Sequence, residues 1–432
     1  MKKLNLFVLL YILLNLHMLR NISLVGYLAI LAFVYIPIML YCLPRFMNVR
    51  LGPVGHWFVL YFITALWSAL VTFMDYGINV GVYASVRYFM TMPIALAAFW
   101  FLPNEHSMRK MLWMFCLIVL IGLLTIPLQY VVGPIAWFAQ PGGRAGMVRY
   151  STLLGNLTAA GGVVPYAIFI TLVLQLNPFL KVLLLGGLCV GAVLTLQKSA
   201  LLGIPLALGV YIVYCGRQLY KRPRKLIGIL AIGLLAIIIG GAVVSFLGTW
   251  PVWQKAVAYA GAAFVLEENV ETVAARGGDV SIQESIRTRL FDQPQRALAD
   301  LYKFKGGGGY LLGGGFGMVG ESLVRPGDSP FVTAHNGYVD FVLIGGFFHL
   351  LAFCGLVYST LRSQWVWLKN CRANKLSDEI PTSFIGVIII ALVSLLFSGG
   401  LTFQPVTGCL FWMIVGVTLR LENKRPLCQI SI

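Results

Sequence analysis

The sequence predicts an all-α polytopic membrane protein of about twelve spans with one large outer loop, and three observations predict it. Of 432 residues, 59% are hydrophobic and only 11% charged, whereas a soluble globular chain carries about a quarter charged residues. Mean hydropathy is +0.86, and apolar stretches long enough to cross roughly 30 Å of hydrocarbon recur along the chain. The 32 Lys and Arg outnumber the 15 Asp and Glu and gather mostly in short loops on one side of those stretches. In a soluble chain a net charge of +17 would suggest nucleic acid. Here most of it follows from topology, so no nucleic-acid partner is expected.

The apolar stretches fall at 4–19, 23–43, 55–74, 85–102, 111–132, 152–175, 180–196, 199–215, 226–248, 337–361, 383–403 and 405–419. No small-residue cleavage site interrupts the first between Lys2, Lys3 and the Arg20 turn, so it is expected to stay as an anchor. With both termini cytoplasmic, 19 of the 32 basic residues lie inside, among them the cluster Arg217, Lys221, Arg222, Arg224 and Lys225. The opposite orientation would place every one of those loops against the positive-inside bias. The organisation is therefore 1–248 as nine spans, 249–336 as the outer loop, 337–419 as three further spans and 420–432 as a cytoplasmic tail. The eight cysteines show no CxxC and no Cys/His cluster, so they are expected to be small apolar fillers, with no metal site and no disulfide framework.

The outer loop carries basic residues that topology does not explain. It is too short and too poor in core residues to form an enzyme domain of its own. Ser281-Ile-Gln-Glu284 and Asp292-Gln-Pro-Gln295 fit capping boxes and predict short helices over 281–291 and 293–304. Pro294 falls in a first turn, where it does no harm. Trp250 to Leu266 is apolar and aromatic, which suits a helix at the outer membrane surface. Gly306 to Gly320 holds nine glycines in fifteen residues, enough for close backbone approach to a ligand or a neighbouring helix, or for a mobile loop.

Gly315-Phe-Gly317-Met-Val-Gly320 reads GxGxxG, but no βαβ unit surrounds it, so nucleotide binding is not expected. No HExxH, GxSxG, P-loop or paired-carboxylate site lies outside the membrane, and Glu267, Glu268, Glu271 and Asp279 read as a solvated face. His335, in Thr-Ala-His-Asn-Gly-Tyr, is the only histidine expected on the outer face and stands where the loop enters the tenth span. It is either an ordinary interfacial histidine or a general base. Asn336 and Tyr338 follow it, and Asp340 lies one turn into the membrane, where a carboxylate needs a partner. His17 and His349 lie inside spans and are expected to pack. Arg144, Arg149 and Lys198 sit at outer span ends, and Arg287, Arg289 and Arg296 on the loop helices. They suit an anionic ligand or lipid headgroups. Arg289 and Arg296 share a face only if helix continues across Pro294.

Taken together, Arg149-Tyr-Ser-Thr-Leu-Leu-Gly155-Asn156, Gln197-Lys198-Ser199, Arg287-Thr-Arg289, Leu312-Gly-Gly-Gly315-Phe-Gly317 and His335-Asn336-Gly-Tyr338 followed by Gly345-Gly346 resemble the O-antigen ligase and polymerase superfamily. The resemblance covers roughly 125–360. Two departures stand out: Lys198 occupies a place where many relatives carry arginine, and Arg287 and Arg289 both offer themselves for one expected arginine.

The resemblance implies a GT-C-like, metal-independent and cofactor-free inverting glycosyltransferase. It implies action at the periplasmic face of the bacterial inner membrane on glycans carried by undecaprenyl diphosphate. By resemblance His335 is the catalytic base, Arg149, Lys198, Arg287 and Arg289 bind the diphosphate, and Arg144, Arg296, Asn336, Tyr338 and Asp340 contribute to substrate binding. The acceptor is another lipid-linked glycan for a polymerase or the lipid A core for a ligase. The stretch from Gln129 to Asn156 resembles polymerases more, and a chain-length regulator protein is then an implied partner. The competing class is a transporter, which the lack of visible repeat symmetry and of mid-membrane acidic coupling residues disfavours. In a cysteine-labelling experiment from outside, a probe at Ser281 should react and one at Arg222 should not; the reverse would invert the topology.

Overall fold

A computed structural model describes residues 2–138, 141–144, 147–155, 159–221, 250–264, 281–325, 327–331, 333–374, 376–397 and 401–423. The expected ninth span at 226–248, Asn156, the acids at 267–279 and the tail beyond 423 lie outside the described residues, and of Arg144 only the backbone is described. Six helices are long and apolar enough to cross a membrane: Gly26–Phe46, Pro53–Tyr76, Ile78–Phe101, Glu105–Val132, Gly337–Ala373 and Pro405–Asn423. Four shorter apolar helices, Gly161–Val173, Pro178–Leu194, Lys198–Tyr214 and Glu379–Leu395, fall on the sixth, seventh, eighth and eleventh expected stretches. The chain is thus an all-α protein of multi-pass membrane character. Its only strands among the described residues are a small hairpin, Gly142–Arg144 with Met147–Arg149.

The contacts divide the chain into two compact units. The first comprises Met1–Leu14, Ile30–Ser107 and Ile286–Ile432; the second comprises Asn15–Ala29 and Met108–Ser285.

In the first unit the long helix Gly337–Ala373 lies along Pro53–Tyr76, and Pro405–Asn423 lies along Ile94–Phe101. Polar side chains close the helix ends. The Arg420 guanidinium donates to the Phe99 carbonyl at 2.7 Å. Glu422 accepts from the Val54 amide at 3.0 Å, supplying the anionic cap that Gly52 cannot. At the opposite end of Pro53–Tyr76, Asp75 pairs with Lys305 at 2.6 Å. The fourth expected span is interrupted between Phe89 and Ile94, where Pro93 lacks the amide a continuous helix needs.

The long helix is itself broken: Gly345 and Gly346 have non-helical backbone. The glycine-rich stretch fits against this break. The Gly314 and Gly315 amides donate to the carbonyls of Leu343 and Ile344 at 2.8 and 3.0 Å, groups that the break has deprived of their helical partners. Phe316 N donates to Thr72 Oγ1 at 2.7 Å, and Trp67 Nε1 donates to the Leu312 carbonyl at 3.1 Å. Of the two ligand-free readings of the glycines, close approach to a neighbouring helix is the one that holds.

One further departure concerns the loop helices. Ser281 Oγ accepts from Glu284 N at 3.2 Å, so Ser281 caps the first helix. The second capping box does not form, because Asp292 is helical and makes no side-chain cap. A π turn, Thr288–Asp292, carries helix through from Ile282–Arg287 into Gln293–Lys305. Pro294 explains it: its ring has no amide for the carbonyl four residues back, and the wider turn accommodates that loss.

In the second unit Ala159–Val173 packs against Pro178–Leu194 and Lys198–Lys221. Lys181 Nζ donates to the Leu172 carbonyl at 2.9 Å, closing the end of the first of these helices. The expected sixth span does not open at residue 152. Ser151 to Gly155 forms a turn with a bridge between Thr152 and Gly155, held by Gln129 Nε2 on the Ser151 carbonyl at 2.9 Å.

Gly346→Ala tests the break. Its φ is +71°, and a Cβ there would lie 2.1 Å from Leu311 backbone atoms, which should destabilise the protein by on the order of 3 kcal/mol. At Gly307, with φ −61° and nothing within 4 Å, alanine should change stability by less than about 0.5 kcal/mol. Thermal unfolding in detergent checks both.

Candidate functional site

His335 and its neighbours meet the end of another helix. The last carbonyls of a helix lack intrahelical donors and carry its negative dipole end. At Glu379–Leu395 three expected site residues supply donors. Tyr338 Oη donates to the Leu392 carbonyl at 2.9 Å, Asn336 Nδ2 to that of Leu396 at 3.3 Å, and Arg289 Nη1 to that of Phe397 at 2.8 Å. Asn336 acts at two helix ends at once, since its Oδ1 also accepts from Tyr338 N and Val339 N at 3.2 and 3.3 Å. It is the N-cap of the long helix.

These bonds hold His335 at the head of the long helix in a backbone conformation its side chain disfavours. Its φ is +51°, a left-handed geometry that costs a non-glycine residue about 1–2 kcal/mol. Such strain persists where surrounding contacts over-determine it, and it concentrates at functional sites. The imidazole reaches the surface, yet crowding around it removes enough water to lower its pKa below the usual 6.5, and the nearby Arg289 charge lowers it further. The ring is therefore neutral at pH 7 and able to accept a proton.

Asp340 is only 1% exposed. Neither carboxylate oxygen has a hydrogen-bond partner among the described residues; the Ala334 amide points towards it without closing a well-formed bond. The partner expected for this acid is thus not found there.

The remaining expected residues are distributed differently. Arg287 and Arg296 are exposed, whereas Arg289 is half-buried. Although helix continues across Pro294, Arg289 and Arg296 do not share a face, because the residue inserted by the π turn rotates the helix beyond it by about 100°. In the second unit Arg149 ends the hairpin's second strand rather than opening a helix. Lys198 is nearly buried at the first residue of Lys198–Lys221. It follows the tight turn the sequence implies, which contains a left-handed Leu196 with φ +52°. Both Arg149 and Lys198 have interactions of their own.

The glycines of GxGxxG serve packing: alanine at Gly315 would meet Thr72, and at Gly317 the Tyr76 ring. No phosphate cradle is needed to explain them.

One polar cluster is not legible in the sequence. His349, expected to pack, is fully buried and bonded at both ring nitrogens, to Thr64 Oγ1 at 2.8 Å and Tyr88 Oη at 2.7 Å. Tyr88 meets the Tyr61 hydroxyl, which lies 3.0 Å from Thr402 Oγ1. Each hydroxyl has one proton, so the imidazole tautomer and the four hydroxyl directions are coupled. A helix-period pattern gives no sign that residues from four separate stretches meet.

In comparisons with known proteins, no family model matches the chain and no curated protein matches it.

The His335 environment predicts a titration. The folded pKa lies below the unfolded one, so the unfolded chain binds the proton more readily. His335 therefore adds stability above pH about 6.5, which is lost as pH falls from there through the lowered value. NMR titration of the imidazole should give a midpoint below 6.5, and Arg289→Gln should raise it. A midpoint at or above the ordinary value would refute the electrostatic arrangement.

Proposed function

We propose that the chain is a membrane glycosyltransferase that moves an undecaprenyl-diphosphate-linked O-antigen oligosaccharide to an acceptor hydroxyl, most simply polymerising repeat units. In this reading it spans the bacterial inner membrane about twelve times with both termini in the cytoplasm, and it works at the periplasmic face. The observation that carries the reading is the strained, neutral, surface-reaching His335 held beside Arg289 at the head of the long helix. A neutral base next to a fixed guanidinium is what transfer from a diphosphate requires.

The bond from sugar C1 to the diphosphate oxygen breaks while a bond from C1 to the acceptor oxygen forms, with inversion at C1. His335 takes the acceptor's proton, a role worth about 10²- to 10⁴-fold in rate. The leaving diphosphate carries the developing negative charge, which Arg289 stabilises through a charge-assisted hydrogen bond of about 1.5–3 kcal/mol; Arg149 and Lys198 stay in the reading as diphosphate ligands on the strength of the sequence resemblance. Between the two loop arginines, half-burial beside His335 favours Arg289 over the exposed Arg287. Arg144, Arg296, Asn336, Tyr338 and Asp340 remain the residues proposed around the substrate, with Asn336 and Tyr338 acting through the helix end they hold.

A ligase joining the glycan to lipid A core would use the same chemistry. The transporter reading has one feature to recommend it, the broken long helix, because discontinuous helices form ion sites in transporters. Here the carbonyls next to the break accept from Gly314 and Gly315, which disfavours an ion site there.

Deleting the gene and examining lipopolysaccharide on a gel tests the reading: core plus one repeat indicates a polymerase, bare core a ligase, and a normal ladder overturns both. Complementation with His335→Ala should give inserted, folded protein and at least about a 10²-fold loss of transfer; near wild-type transfer would remove the general base.

A further inference from the structure

Between Lys305 and Gly317 the chain leaves the C-terminal end of Pro53–Tyr76, runs down beside that helix and comes back. Lys305 starts the excursion at its ion pair with Asp75, 2.6 Å long, a charged pair that suits the edge of the hydrocarbon rather than its interior. Gly306, with φ +63°, ends the Gln293–Lys305 helix. The short helix Gly308–Leu312 then carries the chain to the point where Trp67 Nε1 donates to the Leu312 carbonyl at 3.1 Å. Gly313, with φ +74°, turns it back, Phe316 N meets Thr72 Oγ1 at 2.7 Å, and Gly317 is backed by the Tyr76 ring. Asp75 and Trp67 are eight residues apart, so the descent is about 12 Å at a rise of 1.5 Å per residue. The long helix gives a second ruler: Gly346, against which Leu311 lies, is nine residues from Gly337 at the helix start, about 13 Å by the same rise.

The two limbs of this excursion differ in what covers them. Tyr310, Leu311 and Leu312 on the descending helix are exposed, whereas residues 313–320 on the returning limb are buried. Hydrocarbon imposes that division, because backbone without regular helical bonds persists at membrane depth only where protein covers it. In the exposed limb Tyr310 N donates to the Gly307 carbonyl at 3.3 Å and Gly313 N to that of Gly309 at 2.8 Å. The exposed leucines also have apolar company. Trp67 and Leu70 on Pro53–Tyr76, and Phe347 and Phe348 just past the break, are exposed as well, and both helices are long and apolar enough to cross a membrane. Leu311 and Leu312 therefore continue the exposed apolar face of two spanning helices; in water they would enlarge a contiguous apolar patch. Nearer the Asp75 end, the exposed Tyr302 and Tyr310 rings lie 6.1 Å apart. Tyr310 Oη donates to the Leu298 carbonyl at 3.3 Å, and Lys303 is exposed beside Tyr302. Tyrosine and lysine at that level match the headgroup region of a bilayer.

We infer that Lys305 to Gly317 is a re-entrant segment seated in one leaflet of the bilayer, and that its exposed limb is a phospholipid-contacting surface. Leu311 and Leu312 lie among acyl chains, with Tyr302 and Tyr310 at the headgroup level. Part of what the sequence presents as a water-exposed loop is thus a wedge in the membrane, held on its protein side by the broken helix. The inference needs the multi-pass membrane character of the chain and stands apart from the sugar-transfer reading.

The test uses the unaltered full chain in phosphatidylcholine nanodiscs with two labels read by mass spectrometry. One is a phosphatidylcholine carrying a diazirine on its acyl chain, photolysed in place; the other is hydroxyl radical generated in the water. Leu311 and Leu312 should take acyl-chain adducts as readily as Leu66 and Leu70 of the spanning helix, and they should escape oxidation. Pro330, exposed on the segment that follows, should be oxidised and take no adduct. Oxidation of Leu311 and Leu312 without adducts would place the segment in water and overturn the inference. Protection from both labels would overturn it too, since the surface would then be covered by protein, a second copy of the chain being the first candidate to check by cross-linking.

Discussion

Inside hydrocarbon every backbone N–H and C=O has to find a partner within the protein, and the break at Gly345 and Gly346 makes that demand acute. Two carbonyls that an intact helix would occupy are handed to the amides of Gly314 and Gly315. That exchange ties the glycine-rich segment to the first quarter of the long helix. Gly313, Gly315 and Gly346 all take positive φ there, and at Gly313 and Gly346 added side-chain atoms would strike the opposing backbone. The loop is thereby docked between Pro53–Tyr76 and the long helix, with Phe316 bonded to Thr72 and Trp67 to Leu312.

From that joint the chain returns to His335. The head of the long helix and the end of Glu379–Leu395 share their unsatisfied groups, with Asn336 serving both. Arg289 reaches the same helix end from the loop. A histidine placed between these anchored residues has little freedom to relax, which accounts for its left-handed backbone. Burial lowers the pKa of the imidazole, and the Arg289 charge that helps to hold the loop down lowers it further, so one side chain serves both attachment and electrostatics.

Below the break, the first unit is filled by an unusually polar aromatic core. His349, Tyr61 and Tyr88 are buried, Tyr88 hydrogen-bonding to both of the others, and the Tyr61 ring stacks on that of His349 with centroids 4.6 Å apart. Tyr88 in turn stacks on Phe316 of the glycine-rich stretch, with centroids 4.5 Å apart. The satisfied network fixes which helices can be neighbours, because a slip of one turn would leave several polar groups unpaired.

The sequence by itself determined the class of the protein. Low charge, long apolar stretches and basic short loops follow directly from solvation in hydrocarbon, a force that acts on each segment separately. Local chemistry was legible to the same extent: the Ser281 cap and the turn before Lys198 both depend on residues close in the chain. Features that depend on distant partners were not. The second capping box gave way to a π turn because helix continued on both sides of Pro294. His349 proved polar in its contacts, since Thr64 and Tyr88 are far from it in sequence. Only tertiary structure decided that the glycines would meet a broken helix and that Arg289 rather than Arg287 would lie beside His335. Each of these outcomes turns on which backbone groups and charges still need a partner once the helices have packed.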